Sequence, residues 1–212
     1  MIRLGNITAG YASAPHVLDN LSFSFLENGT YALMGTSGIG KTTLLRVMAG
    51  LTELTSGTVE GVLDKRTVML FQEDRLLPWC TVLDNVLLGM EHPDRTKATA
   101  ILRALDIGDS GAHLPGRLSG GMQRRAALAR AIGYGASILL MDEPFAGVDE
   151  HTIKRIAPYV QASAPFILFT THAASEAQAM DATIVELTNG STLVGRNAAP
   201  PGNSLSTIGN RV

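Results

Sequence analysis

Short apolar runs recur along the chain, and between them lie stretches whose apolar residues return every three or four positions. The runs predict strands near Ile2 to Thr8, Leu21 to Phe25, Thr30 to Met34, Val68 to Phe71, Ile138 to Met141, Phe166 to Thr170 and Thr183 to Leu187. The helical spacing predicts helices over Lys41 to Ala49, Val82 to Leu88, Thr96 to Leu105, Met122 to Tyr134, His151 to Val160 and Ser175 to Met180. Strands alternating with helices are the pattern of an α/β protein with a largely buried sheet. One segment breaks the alternation. Glu73 to Arg117 carries two helical patterns and no convincing strand, so it reads as a helical subdomain (73–117) inserted into a core made of 1–72 and 118–195. From Arg196 onward the sequence RNAAPPGNSLSTIGNRV is rich in Pro, Gly, Asn and Ser and has no period, which predicts a flexible tail over 196–212.

Composition narrows the function classes. Hydrophobic residues make up 45% of the 212 and charged residues only 17%, against a usual charged share of about 25%. Wholesale disorder is therefore excluded, and a large buried or partner-covered surface is favoured. The net charge of −2 argues against a basic nucleic-acid clamp or a polybasic membrane tether. The single cysteine, Cys80, has no intrachain partner, and the scattered histidines do not form a structural metal site, so a cytoplasmic setting fits. No apolar stretch approaches the ~18 residues that cross a bilayer, so any membrane role is peripheral.

Chemistry enters at Gly35 to Thr42, GTSGIGKT, which fits G-x-x-x-x-G-K-[ST] between a predicted strand and a predicted helix. A glycine-rich loop feeding a helix N-terminus aims unpaired N–H groups and the positive end of the helix dipole at one spot. Gly35, Thr36, Ser37, Gly38, Ile39, Gly40, Lys41, Thr42 and Thr43 are thus candidates to wrap a triphosphate, with Lys41 supplying charge and the Thr42 hydroxyl binding Mg²⁺. The apolar run ILLM ends in Asp142, Glu143 and Pro144. Adjacent strand residues face opposite ways, so Asp142 is expected to hold Mg²⁺, and Glu143, where the proline ends the ladder, to polarise an attacking water. Leu118 to Gln123, LSGGMQ, opens a second helix with Ser119, Gly120 and Gly121. This is another anion site by the same physics, but one without a lysine. One full cradle and one orphan half-site fit two copies packed head to tail, each half-site closing the other copy's cradle.

These residues, in this order, resemble the ATP-binding-cassette ATPase family over Ile2 to Leu187: GTSGIGKT its phosphate loop, LSGGMQ its signature and ILLMDEP its Mg²⁺ and catalytic-glutamate strand. The resemblance implies a P-loop NTPase fold with a RecA-like core sheet, an N-terminal antiparallel β subdomain and an inserted α-helical subdomain. It implies ATP and Mg²⁺ as ligands, Glu143, His172 and Gln72 as catalytic residues, and Thr42, Gln72 and Asp142 at the metal. It also places Tyr11 against adenine, and Ser119, Gly120, Gly121, Gln123 and Asp149 at the nucleotide. Two departures stand out: Ala146, Gly147 and Val148 precede Asp149 where the family commonly has Ser-Ala-Leu, and Ala173 follows His172 where many members carry Asp.

QEDRLLPW with TVLDNV resembles the branch that serves nitrate, sulfonate and taurine importers. The implied assembly is a homodimer on the inner face of the cell membrane, bound to integral permease subunits, indirectly to a solute-binding protein, and to no nucleic acid. Leu76, Leu77, Pro78 and Trp79, directly after Gln72, are the expected contact with the membrane subunit, the alternative being that Trp79 packs the subdomain core. Competing readings are a soluble ABC ATPase acting on DNA or ribosomes, an exporter ATPase, and a catalytically idle regulatory subunit.

Overall fold

The computed structural model describes residues 1–62 and 65–196. In chain order its elements are β1 (Ile2–Tyr11), β2 (Ala14–Phe25), β3 (Gly29–Met34), α1 (Lys41–Met48), β4 (Leu54–Glu60), β5 (Thr67–Leu70), α2 (Val82–Gly89), α3 (Arg95–Ala104), α4 (Gly120–Gly133), β6 (Ile138–Met141), α5 (Glu150–Gln161), β7 (Phe166–Thr170), α6 (Ala174–Ala179), β8 (Thr183–Thr188) and β9 (Thr192–Arg196). Two short 3₁₀ turns, Gly108–Ser110 and Pro115–Arg117, lie between α3 and α4.

Six strands form the main sheet in the order β5-β6-β7-β3-β8-β9. All its pairings are parallel except that of β9, which runs back against β8. β6 is apolar at every position, and β7 at all but its last, Thr170, because both faces of the sheet are covered. Side chains alternate between two cores: Tyr31, Leu33, Ile138, Leu140, Phe166 and Leu168 enter one, while Ala32, Leu139, Met141, Ile167 and Phe169 enter the other. The first core is closed by α1 through Leu44, Leu45 and Met48 and by a three-stranded antiparallel sheet, β2-β1-β4, through Ile2, Leu4, Ile7, Leu18 and Leu21. The second is closed by the helices after β5, through residues such as Val86, Leu102, Leu128 and Ile153. Truncating one of these buried leucines to alanine costs about 2–5 kcal/mol, so the double core fixes the strand ends that carry the site.

The helices between β5 and β6 pack through small residues. Ala126, Ala127, Ala129 and Ala131 of α4 are buried, and α2 comes so close at Gly89 that a β-carbon there would lie 2.6 Å from the Arg130 carbonyl oxygen.

All the predicted strands and helices are present, with ends displaced by at most three residues except in β2, which begins seven residues earlier, at Ala14, than the expected Leu21. Two strands were not predicted. Leu54–Glu60 is mostly exposed and has no apolar run, yet it forms β4 because β1 offers it an open edge. Thr192–Arg196 forms β9 by turning back on β8. Arg196, expected to start the tail, ends β9, and the rest of that expected tail lies outside the described residues. Among the described residues, no helix is long and apolar enough to cross a membrane.

Candidate functional site

β3 delivers the chain into the loop Gly35 to Gly40, and α1 begins at Lys41. Gly35 has φ +147 and lies so close to β8 that a β-carbon would sit 2.7 Å from the Leu187 carbonyl oxygen. Gly40, at φ +112, caps α1 in a left-handed conformation that other residues rarely adopt. Between them Thr36, Ser37 and Gly38 form an exposed crest, while Ile39 packs against the core below. Lys41 is buried, and its Nζ donates to the carbonyl oxygens of Gly35 (2.8 Å) and Thr36 (3.0 Å). Burial pushes its pKa below that of an ordinary lysine, and the nearby Glu143 and Asp142 charges oppose the shift. Tyr11 is 40% exposed, so it does not pack in the core, and its hydroxyl lies 3.3 Å from Thr43 Oγ1 at the start of α1.

The carboxylates at the end of β6 diverge. Asp142 is buried; its Oδ2 accepts from the Thr42 hydroxyl at 2.7 Å and its Oδ1 from the Thr170 hydroxyl at 2.6 Å. The Thr170 oxygen in turn accepts the Glu143 backbone N–H at 2.8 Å. Glu143 takes φ +50, an uncommon value for a residue with a side chain and one that the extended-backbone preference before Pro144 opposes, so the Thr170 hydrogen bond to its N–H is what holds it. The kink swings the Glu143 carboxylate to 3.6 Å from Nε2 of the half-exposed His172. His172 rides on a turn organised by Thr171, whose hydroxyl donates to Glu176 at 2.6 Å and accepts the Ala173 N–H at 3.0 Å. Burial raises the Glu176 pKa; the Thr171 hydrogen bond and His172 act against it, and the Glu143 charge adds to it. Ala173 is the N-cap of α6 and supplies no side-chain acceptor there.

Gln72 is exposed just beyond β5, and its segment is held from α4. Arg124, only 2% exposed, reaches five acceptors: the carbonyls of Phe71 (2.7 Å), Gln72 (3.2 Å), Glu143 (3.0 Å) and Asp142, and the Asp74 carboxylate (3.0 Å). Arg130 donates to the carbonyls of Asp74 (2.9 Å) and Arg75 (2.7 Å). Sequence reasoning missed Thr170 and Arg124. The first was signalled only as a hydroxyl ending an apolar run, the second only as one of two arginines after LSGGMQ.

The signature residues stand apart. Ser119 caps α4 by accepting the Met122 N–H at 3.3 Å and is exposed, as is Gly120. Gly121 lies against Gly147, where any β-carbon would overlap the Gly147 carbonyl oxygen. Gly147 itself has φ +72, which accounts for a glycine at that departure from the family pattern. Gln123 turns inward and donates to the Leu118 carbonyl at 3.1 Å. Asp149 caps α5, and hydrogen bonds from the Thr152 hydroxyl (2.7 Å) and N–H (2.9 Å) hold its carboxyl below the usual range. Among the described residues, no hydrogen bond or ion pair joins Ser119, Gly120, Gly121, Gln123 or Asp149 to 35–43. The fold thus gathers Thr42, Lys41, Asp142, Glu143 and His172, and leaves the signature outside that group.

Trp79 is 74% exposed. The turn that presents it is fixed by the buried Asn85, whose amide donates to the carbonyls of Leu77, Cys80 and Thr81 and whose oxygen accepts the Leu77 N–H at 2.8 Å.

The donor set fits a nucleotide triphosphate and a hard cation. The loop offers an open crest, with nothing within 4 Å of a β-carbon at Gly38, ahead of a helix N-terminus and a lysine. Thr42 and Asp142 place a hydroxyl and a carboxylate oxygen side by side, the oxygen ligands Mg²⁺ prefers beside phosphates.

The chain is similar to known proteins in sequence and in fold. The family profile described as ABC transporter matches residues 18–146. An aliphatic sulfonates import ATP-binding protein from Delftia acidovorans is 38% identical over 179 residues, 82% of this chain and 74% of that protein. A taurine import ATP-binding protein from Rhizobium johnstonii is 36% identical over 187 residues, 80% of this chain and 71% of that one. Among solved structures, a dimeric bacterial ABC transporter cassette superposes with a TM-score of 0.82 at 26% identity, covering 94% of this chain and 100% of that one.

Proposed function

The chain belongs to the ABC transporter family, and from that premise we propose that it is the ATP-hydrolysing subunit of an importer, working as a head-to-tail homodimer. One observation carries the hydrolytic reading: the Thr42 hydroxyl of the phosphate loop donates to Asp142 at 2.7 Å, which couples the loop to the segment just beyond β6 that carries Glu143.

In this reading the loop N–H groups of 35–43 and the Lys41 ammonium receive the β and γ phosphates, Lys41 exchanging two backbone carbonyls for phosphate oxygens. Thr42, Asp142 and Gln72 hold Mg²⁺, which when bound neutralises charge on the phosphates. Glu143 accepts a proton from the water that attacks the γ-phosphorus. The bond from that phosphorus to the bridging oxygen breaks, ADP leaves with the electron pair, and inorganic phosphate is the second product. His172, 3.6 Å from Glu143, orients the carboxylate and contacts the γ-phosphate. Tyr11 stacks on adenine. Ser119, Gly120, Gly121 and Gln123 of one copy, with Asp149, complete the other copy's pocket.

The names of the relatives support import of a small sulfonate-bearing solute, an aliphatic sulfonate or taurine, and nitrate enters only through the resemblance of QEDRLLPW with TVLDNV. The exposed Trp79 with Leu76, Leu77 and Pro78 is the docking surface for a permease, which places the protein on the inner face of the membrane and, through the permease, in contact with a solute-binding protein. No role with nucleic acid is included.

Replacing Glu143 with Gln is the test. ATP binding should persist, phosphate release should fall by about a thousandfold, and a dimer should accumulate with ATP in size-exclusion chromatography. Turnover at the parent rate would refute the assignment.

A further inference from the structure

Arg124 joins two parts of the molecule that the sequence keeps far apart. It sits in the first turns of α4, a few residues behind the exposed Ser119. Its guanidinium satisfies itself on the Phe71 and Gln72 carbonyls and the Asp74 carboxylate on one side, and on the Asp142 and Glu143 carbonyls on the other. A guanidinium presents five N–H groups in one rigid plane, so these acceptors cannot move independently while all of those bonds persist. Arg130, further along the same helix, holds the next carbonyls, those of Asp74 and Arg75. The segment that carries Gln72 is therefore hung from α4 by side chains.

We infer that Arg124 is a positioning residue that transmits the placement of the α4 N-terminus to Gln72 and Glu143 of the same chain. This rests on the head-to-tail dimer proposed above. When the partner's triphosphate draws in Ser119, α4 shifts as a rigid rod and Arg124 carries the Gln72 segment and the Glu143 backbone with it. Each copy thus senses through Arg124 whether the pocket that it completes in its partner is filled. Arg124 touches neither 35–43 nor any atom of the reaction, so it sets geometry and leaves nucleotide capture by the single chain unaltered.

The experiment measures hydrogen exchange in the full chain carrying Glu143→Gln, with and without MgATP, and compares it with the same chain carrying also Arg124→Gln. In the first, ATP should slow exchange in peptides covering both 119–125 and 71–75. Adding Arg124→Gln should keep the ATP-dependent slowing at 119–125 within about twofold and reduce it at 71–75 by about fivefold or more. With Glu143 restored, Arg124→Gln should lower kcat by about tenfold while the ATP Kd of the single chain stays within about twofold. Asp74→Asn, which removes only the charged partner, should show the same pattern at smaller amplitude, and it carries the test if Arg124→Gln folds poorly.

ATP-dependent slowing at 71–75 that survives Arg124→Gln, with kcat within twofold of the parent, would overturn the inference. So would a loss of protection at 71–75 that is equal with and without ATP, because that is a purely structural role. If ATP fails to slow exchange at 119–125 even in the chain carrying Glu143→Gln alone, the dimer reading itself falls and this inference falls with it.

Discussion

Two helices begin in glycine-bearing turns, and they are built in opposite ways. α1 starts under Gly40 in a left-handed conformation, with no side-chain cap, its lysine buried and folded onto the loop's own carbonyls. α4 starts under Ser119, whose hydroxyl caps it; this cap and Gly120 are exposed, and the first turn holds no lysine. The first terminus leaves its N–H groups for a ligand and supplies a counter-charge. The second satisfies part of its own need and offers the rest outward. In the function proposed above, the same dipole is a complete anion site in one place and a contributor in the other.

The contrast is broken most forcefully at the lysine. Lys41→Ala should weaken ATP binding by about 100-fold in a calorimetric titration of the single chain, whereas Ser119→Ala should leave that affinity within about twofold. Equal losses would mean that the two termini serve one pocket within a single chain. Next in size is Ser119→Asp. Aspartate caps a helix as well as serine does, so the melting temperature should hold, but its charge repels a triphosphate and turnover should fall by about 30-fold. Parent-like turnover would place α4 away from any phosphate.

A smaller effect separates the two signature glycines. Gly121→Ala meets the Gly147 carbonyl and should cost about 1–3 kcal/mol in chemical denaturation. Gly120→Ala meets nothing within 4 Å and should leave stability unchanged, while still obstructing an approaching partner and slowing turnover.

The smallest effect is in the pH dependence. Burial depresses the Lys41 pKa, so ATP affinity should decline as pH rises through that lowered value, earlier than it does for Lys41→Arg. Folding stability of the chain without nucleotide runs the other way. The folded state binds fewer protons at this lysine than the unfolded one, so that penalty is relieved as pH rises from the depressed pKa toward the ordinary one. Affinity that stays flat for both proteins across the alkaline range would remove Lys41 from the phosphate contact.

Legibility in the sequence followed the range of the interactions. The phosphate loop was readable because loop, lysine and helix start are contiguous, and β6 because ILLM is apolar at each position. β9 was readable too, although it was missed: Asn189 and Gly190 take φ +53 and +66, the Asn-Gly turn that reverses a hairpin. β4 was not, since LTSGTVE is paired by an edge that only tertiary structure provides. Arg124 and Thr170 were hidden for a related reason. Most of what Arg124 holds is backbone carbonyl up to 53 positions away, and a carbonyl has no letter in the sequence. Pairing of Thr42 with Asp142, 100 positions apart, was anticipated only because both residue types fit one cation.

The Asn85 amide bears on mechanics. With one side chain pinning three carbonyls of the preceding turn to the first residues of α2, the indole of Trp79 stands on a stiff mount rather than a loose strap. Covering it sacrifices little freedom, and a push on the ring is felt along the whole helix instead of being absorbed where it lands.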